Sequence, residues 1–347
     1  MRIALICDSK QDTLRNIQII GRRIYKGLIR NRCDVLEFSY RNVMMSNSPI
    51  RSKRIARKFA KPRTDRFCRD LLGDYQPDVI LVIAFRHLDS QTLGMLREAV
   101  PEAVLAGWYS DPLDGITEAS MDIFRKLDVF MASGGGARLE EVGRACRIPA
   151  AFIPNPCDPD IERRHPVEEK DRCELLFTGK LGHKGCGTDP SRGELIPTLI
   201  ERYGMTVFGA LGEATVLGMS YFRRICGAKI ALSINATNDI RMYHSDRLIN
   251  YLGCGAFVLA KAVPDSHLLF EDYKHLRYFS SNQECLELVD YYLKHEDERE
   301  KIAAGGMAHA HKMFHCERIA GDILDFITTG SYDAPWKEIY SERGGYE

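Results

Sequence analysis

The chain has 347 residues, 45% of them apolar and 28% charged, and its 48 Lys+Arg balance 48 Asp+Glu to a formal net charge of zero. That length is natural for two domains with separate cores, the composition is that of an ordinary globular protein, and no apolar run approaches the ~20 residues of a membrane span. Eleven cysteines, odd in number and without a CxxC pair, argue against a closed disulfide framework and fit reduced thiols.

The N-terminal apolar run Ile3–Cys7 is too short for a signal peptide and meets Asp8 at once, so a cytoplasmic location is expected. The same run reads as a strand buried on both faces of a parallel sheet. Apolar positions at helical spacing then predict a helix from Thr13 to Arg30. Val35–Phe38 is the next strand. The stretch Arg51 to Arg69 holds nine basic residues, and residues 1–72 carry 18 Lys+Arg against 6 Asp+Glu, a net of +12. Two readings of this run stay open: a solvated helix face, or a surface for an anionic acceptor that includes Arg54, Arg57 and Lys58.

Three more strands follow: Val79–Ala84 ending in Phe85-Arg86-His87, Ala103–Trp108 ending in Tyr109-Ser110-Asp111, and Val129–Ala132. After the last come Ser133-Gly-Gly-Gly136, a helix around Arg138–Cys146, and a sixth strand at Ala151–Ile153. This alternation predicts a doubly wound α/β domain over residues 1–155, whose ligands sit at the C-terminal ends of the strands. A general base for an acceptor hydroxyl needs a tunable side chain there. Asp111 and His87 are the candidates, with Tyr109 beside them and Asp8 weaker. A tight strand-to-helix turn accounts for Ser133–Gly136.

The proline-rich, charged segment 156–172 reads as a linker. The rhythm restarts over 173–330 with strands at Leu175–Thr178, Thr206–Phe208, Ile230–Ile234, Phe257–Ala260 and Arg277–Phe279, and helices near 283–294, 297–311 and 316–328. The tail 331–347, with Trp336 and Tyr340, is expected to pack back on the first domain. Thr178-Gly179-Lys180 and Lys184 lie in a loop after a strand, where a glycine lets the backbone approach a ligand and lysines neutralise a diphosphate; Arg192 is a second cation for that task. Tyr243 to Gly255 reads as a polar helix start, a two-turn helix and a glycine stop. Ser245 or Asp246 caps it, and Arg247 stands beside free N–H groups suited to a phosphate.

The pattern Arg247-x-Ile-Asn250-x-x-Gly-Cys-Gly-Ala-Phe-Val-Leu259, then Val263-Pro264, Leu269-Phe270, His275-Leu-Arg-Tyr-Phe279, Leu288-Val-Asp-Tyr-Tyr-Leu293, Glu296–Ala304 and Phe314–Ala320, resembles CgeB-like glycosyltransferases of the GT-B superfamily over about residues 173–325. The resemblance implies two doubly wound Rossmann-like domains facing a cleft, with the acceptor on the first and a nucleotide-sugar on the second. It implies donor-binding roles for Gly179, Lys180, Lys184, Phe208, Ser245, Asp246, Arg247 and Asn250, with the base near Phe208-Gly209. Where the family has a ribose-binding Glu, this chain has Asn250, which keeps one carbonyl oxygen and loses the charge.

Three further signals carry no expectation of chemistry. Asp158-Pro-Asp160 imitates a metal-binding DxD inside a proline-rich stretch, His309, His311 and His315 are close in sequence without forming a zinc motif, and no cysteine adjoins a base motif. The expected activity is therefore metal-independent and cofactor-free transfer of a sugar from a nucleotide-sugar to an acceptor hydroxyl. The expected acceptor is anionic, a surface-glycan or lipid-phosphate intermediate. The alternatives are transfer to hydroxymethylated nucleic acid, or a non-catalytic nucleotide- or nucleic-acid-binding module on the same scaffold.

Overall fold

The computed structural model describes residues 1–8, 14, 20–48, 59–181 and 189–341. Two compact units emerge: residues 1–153 with 319–347, and residues 154–318.

The first unit is built on β1 (Arg2–Ile6), β2 (Asp34–Phe38), β3 (Val79–Val82), β4 (Val104–Tyr109), β5 (Val129–Ala132) and β6 (Ala150–Phe152). Its described helices begin with α1 (Ile20–Arg30), α2 (Tyr40–Ser46), α3 (Lys61–Tyr75), α4 (Ser90–Ala99), α5 (Glu118–Phe124) and α6 (Ala137–Cys146). The strands are parallel, in the order β6-β5-β4-β3-β1-β2. Their near-continuous apolar runs are those of strands covered on both faces, and β3 and β5 are buried at every position. Of the helix expected from Thr13, residues 13 and 15–19 lie outside the described residues. So do Arg54, Arg57 and Lys58.

The tail supplies a two-residue strand, Ile339–Tyr340, which pairs antiparallel with β6 and closes that edge of the sheet. Trp336 is buried, and the Tyr332 hydroxyl donates to Phe152 O at 2.6 Å.

The second unit has five parallel strands: β7 (Cys173–Thr178), β8 (Thr206–Phe208), β9 (Ala228–Ser233), β10 (Val258–Lys261) and β11 (Arg277–Phe279), ordered β11-β10-β9-β7-β8. Around them lie α7 (Pro190–Tyr203), α8 (Met219–Cys226), α9 (Asp246–Gly253), α10 (Asn282–Tyr292) and α11 (Glu296–Met313). Phe177, Leu199, Leu232, Phe257, Phe279 and Tyr292 anchor the core. Among the described residues no helix is long and apolar enough to cross a membrane.

The stretch read as a linker is packed into this second unit. Asn155, Asp158, Glu162 and Asp171 are buried. Cys157 exchanges backbone hydrogen bonds with Phe314 (2.6 Å) and Cys316 (2.7 Å), and the Asp158 N–H donates to the Glu162 carboxylate at 2.7 Å. Side chains here supply the partners that prolines withhold, so a polar composition does not make the segment solvent-exposed.

Candidate functional site

The C-terminal edge of the second sheet gathers Gly179 and Lys180 after β7, Phe208 and Gly209 at the end of β8, and Ile234 and Asn235 after β9. The start of α9 returns to the same edge. Its entry is held by two buried asparagines. Asn235 Oδ1 accepts the Ser245 N–H at 3.0 Å and its Nδ2 donates to Tyr243 O at 3.1 Å, while Asn155 Nδ2 donates to His244 O at 2.7 Å. Ser245 is the N-cap residue by backbone conformation, yet its hydroxyl makes no capping bond and is buried without a partner. The first-turn N–H groups thus lack the usual side-chain acceptor.

Arg247 points inward. Nη1 donates to Thr178 O at 2.6 Å and Nη2 to Ile234 O at 2.5 Å, and the guanidinium lies 4.9 Å above the Phe177 ring. Arg192 reaches the same carbonyl from α7. Its Nε and Nη2 donate to Ile234 O at 3.0 and 2.5 Å, and its Nη1 to Lys180 O at 2.9 Å. Both arginines are buried, and burial together with the neighbouring Arg247 charge lowers Arg192 to about 9. Two guanidiniums sharing one carbonyl make this edge electropositive.

Gly179 has φ +141°, and a Cβ there would run into Arg247 Nη1. The glycine is required by conformation and by the arginine together. Its N–H donates to Phe208 O at 2.9 Å, which ties the β7 and β8 ends. Phe208 is half-buried with the Arg224 guanidinium 5.5 Å from its ring centre, and Gly209 has φ +83°. Lys180 is exposed; Lys184 lies outside the described residues.

Asn250 is buried and its Nδ2 donates to the Tyr221 hydroxyl at 3.2 Å. The next residue, Tyr251, accepts the Thr178 N–H at 2.9 Å through its own hydroxyl. Asp246, in the first turn of α9, is half-buried.

The sequence reading passed over Asp189, Lys261, Asn155 and Asn235. Lys261 Nζ donates to both Asp189 oxygens, at 2.9 and 2.8 Å, and Ser191 N–H and Asn238 Nδ2 donate to the same carboxylate at 2.8 and 2.7 Å. Burial opposes ionisation of Asp189, but these donors outweigh it and hold its carboxyl below the usual range. The available signal was local: Asp189-Pro190 is a helix start, and Asn235-Ala-Thr-Asn238 follows an apolar strand.

In the first unit, the strand ends carry the other candidates. Asp111 follows β4 and is exposed, with Arg86 Nη2 at 3.9 Å from its carboxylate. His87 is half-buried in the turn that follows the adjacent strand β3. Tyr109 packs among Phe85, Phe124 and Phe130, with ring centres 5.8–6.5 Å away. Asp8, after β1, is half-buried. The loop Ser133–Gly136 leads into α6, where Gly136 donates its N–H to Glu338 at 2.5 Å.

Other polar residues take structural partners. His309 Nε2 meets Leu269 O at 2.8 Å, His311 Nε2 meets Glu162 O at 2.7 Å, and Asp158 Oδ1 accepts the Asp160 N–H at 3.1 Å. Among the described residues no three His, Cys, Asp or Glu side chains group as metal ligands would.

Residues 192–325 match the family described as "Glycosyl transferase-like". No curated protein matches the chain in sequence. Among solved structures, it is similar to Anabaena Alr3699/HepE in complex with UDP and glucose, at 12% identity and TM-score 0.61, over 94% of this chain and 99% of that one. It is similar also to sucrose-phosphate synthase from Thermosynechococcus elongatus, at 13% identity and TM-score 0.63, over 95% and 100%. A glycosyltransferase from Rickettsia africae aligns at 8% identity and TM-score 0.56, over 95% and 99%. The chain therefore has the GT-B glycosyltransferase fold, with a glycosyl transferase-like domain in its second half.

Proposed function

We propose that the protein is a nucleotide-sugar-dependent glycosyltransferase, and that the edge formed by Gly179, Arg192, Arg247 and the start of α9 holds the donor diphosphate. The observation that carries this is the pair of buried guanidiniums converging on Ile234 O beside a helix start without a side-chain cap. Such an edge favours an anion, because helix N–H groups and nearby cations act together in a partly dry setting. A leaving nucleoside diphosphate gains negative charge as the glycosidic bond breaks. Donors already fixed around that position lower the barrier without a bound metal. The similar fold of a protein crystallised with UDP and glucose makes UDP-sugars the first donors to try. Asp111 or His87 serves as the base toward the acceptor hydroxyl, and the net charge of +12 over residues 1–72 favours an anionic acceptor. Asn250 supports a second reading, a binder without turnover. Its amide is spent on Tyr221, and it offers no carboxylate to a ribose.

Incubating the pure protein with UDP-, GDP-, ADP- and dTDP-sugars and following release of the nucleoside diphosphate tests the proposal. Slow release from one donor, unchanged by a chelator, is expected. Binding of a donor without release favours the second reading, and neither binding nor release rejects both.

A further inference from the structure

Arg192 and Arg247 reach Ile234 O from different helices, and one chain of hydrogen bonds joins the starts of those helices. It begins at Lys261, the last residue of β10, whose Nζ donates to both oxygens of Asp189 at 2.9 and 2.8 Å. Asp189 is the N-cap residue of α7, and its side chain accepts the Ser191 N–H at 2.8 Å. Asn238 Nδ2 donates to the same carboxylate at 2.7 Å, and Asn238 Oδ1 accepts the Asn235 N–H at 3.2 Å. Asn235 Oδ1 in turn accepts the N–H of Ser245, the N-cap residue of α9, at 3.0 Å. The Asp189 N–H donates to Ala236 O at 2.7 Å, so the backbone follows the same route.

This chain is nearly dry. Asn235 and Asn238 are 2% and 7% exposed, and the side chains of Asp189 and Lys261 9% and 21%. A buried ion pair is a poor source of stability, because desolvation offsets much of its attraction and apolar side chains of the same volume would pack without that penalty. What it supplies is direction, since each hydrogen bond weakens steeply when its partner turns. Those directions end at the cations. Arg192 stands three residues after Asp189, Arg247 two after Ser245, and Ile234 immediately before Asn235. Each arginine, and the carbonyl they share, therefore hangs from backbone that the chain holds.

We propose that Asp189, Asn238 and Asn235 are positioning residues of the donor edge, which fix the starts of α7 and α9 relative to each other so that Arg192 and Arg247 meet one diphosphate together. This rests on the reading of that edge as the diphosphate site. The three residues act through the arginines. Charge alone cannot be the use of Asp189, because a carboxylate so close to Arg192 weakens the pull of the edge on an anion. Alignment can be, because two guanidiniums stabilise a developing diphosphate charge only if their geometry is set beforehand.

That opposition of sign gives the test. The full chain is titrated calorimetrically with UDP, GDP, ADP and dTDP, and the tightest of them and its parent nucleoside are then titrated into the variants. Asp189→Asn removes a negative charge, so a purely electrostatic role predicts tighter binding of the diphosphate. Positioning predicts binding weaker by about tenfold, the scale of one charge-assisted bond, for Asp189→Asn and for Asn238→Ala. Asn235→Ala should do the same, and the Asn235→Ala, Asn238→Ala double variant should lose little more than either single, because both lie in one chain. Affinity for the nucleoside, which has no phosphate, should stay within about twofold, whereas a general loosening of the unit would lower both. Melting temperatures identify the folded variants. Asp189→Asn is isosteric, and Asn238→Ser stands in for an alanine variant that does not fold. Unchanged or tighter diphosphate binding in folded Asp189→Asn overturns the proposal and leaves the diphosphate site standing. An equal loss of nucleoside affinity also overturns it, by reducing the chain to a structural staple. A parent protein that binds none of the four diphosphates rejects the site itself, and the proposal with it.

Discussion

The carboxylate of Glu338 accepts the N–H of Gly136 across 202 residues of chain, at 2.5 Å. Gly136 is the N-cap residue of α6 and has no side chain to do this itself, so the tail caps a helix it does not belong to. The Tyr340 hydroxyl donates to the same carboxylate at 2.8 Å. Gly135 is equally constrained, since a Cβ there would meet the Glu338 carboxylate at 2.7 Å. Glu338→Ala should therefore destabilise the first unit by about 2 kcal/mol, the scale of a charge-assisted bond. Thermal denaturation measures this, and limited proteolysis should find the tail cut sooner than in the parent. A tail equally resistant in both proteins contradicts the assignment.

Arg247→Ala removes two donors from buried carbonyls as well as a charge. Ile234 O keeps its bonds from Arg192, so only Thr178 O loses its arginine partner, at a cost of about 1–3 kcal/mol, and the variant should melt earlier. It should also bind a nucleoside diphosphate about tenfold more weakly, since a lost charge-assisted contact is worth about 1.5 kcal/mol or more. Calorimetric titration of the folded variant separates the two effects. Full nucleotide affinity in that variant removes the diphosphate from this edge.

Gly179→Ala tests the same corner from the backbone side. The left-handed φ and the collision with Arg247 act together, and a loss of about 2 kcal/mol or more is expected. Combining Gly179→Ala with Arg247→Ala should cost less than the sum of the singles, because the collision partner is gone.

Asn250→Glu forces a carboxylate into a buried position whose present neighbour is a tyrosine hydroxyl. The expected loss is about 3 kcal/mol or more at neutral pH, with partial recovery in mild acid as the new group protonates. Tighter ribonucleotide binding without loss of stability would show that the side chain reaches a ribose instead.

The buried histidines set an acid limit. Burial depresses His244 to about 3, and burial with the neighbouring His309 charge depresses His275 to about 4. The unfolded chain protonates near 6.5, so it binds more protons than the folded one below that pH. Stability is complete above about 6.5 and is lost as the pH falls toward the folded values, by up to about 1.4 kcal/mol per pH unit per histidine. His275 has a specific reason to stay neutral, since its Nδ1 accepts the Glu271 N–H at 3.0 Å. Melting temperatures between pH 7 and 5 should fall, and His244→Phe should flatten that slope. An unchanged slope in the variant excludes His244 as a contributor.

Most of the fold was legible because its signals are local. The runs Val79–Val82 and Val129–Ala132 are apolar throughout and became fully buried strands, and Cys316–Thr329 has the spacing of the helix it forms. The site was legible only as places on the sheet edge. Gly179 and Arg247 were named from sequence, but their mutual dependence was not, because it arises where chain positions 68 residues apart meet. Asp189 and Lys261, 72 residues apart, were missed for the same reason. The segment 156–172 looked like a linker because proline and charge mark exposed chain on average. Its bonds to Phe314 and Cys316 depend on a partner no local pattern announces.

The discontinuity of the first unit has a bearing on how the protein is made. Residues 1–153 of the first unit are made long before residues 332–340, with the whole contiguous second unit between them. The first unit must wait for them with the β6 edge open and α6 uncapped. An open, apolar strand edge is a template for pairing with other chains. During synthesis the vulnerable species is thus a long nascent chain whose first unit is unsealed. Its vulnerability ends when Ile339 and Tyr340 reach Ala151 and Ala150.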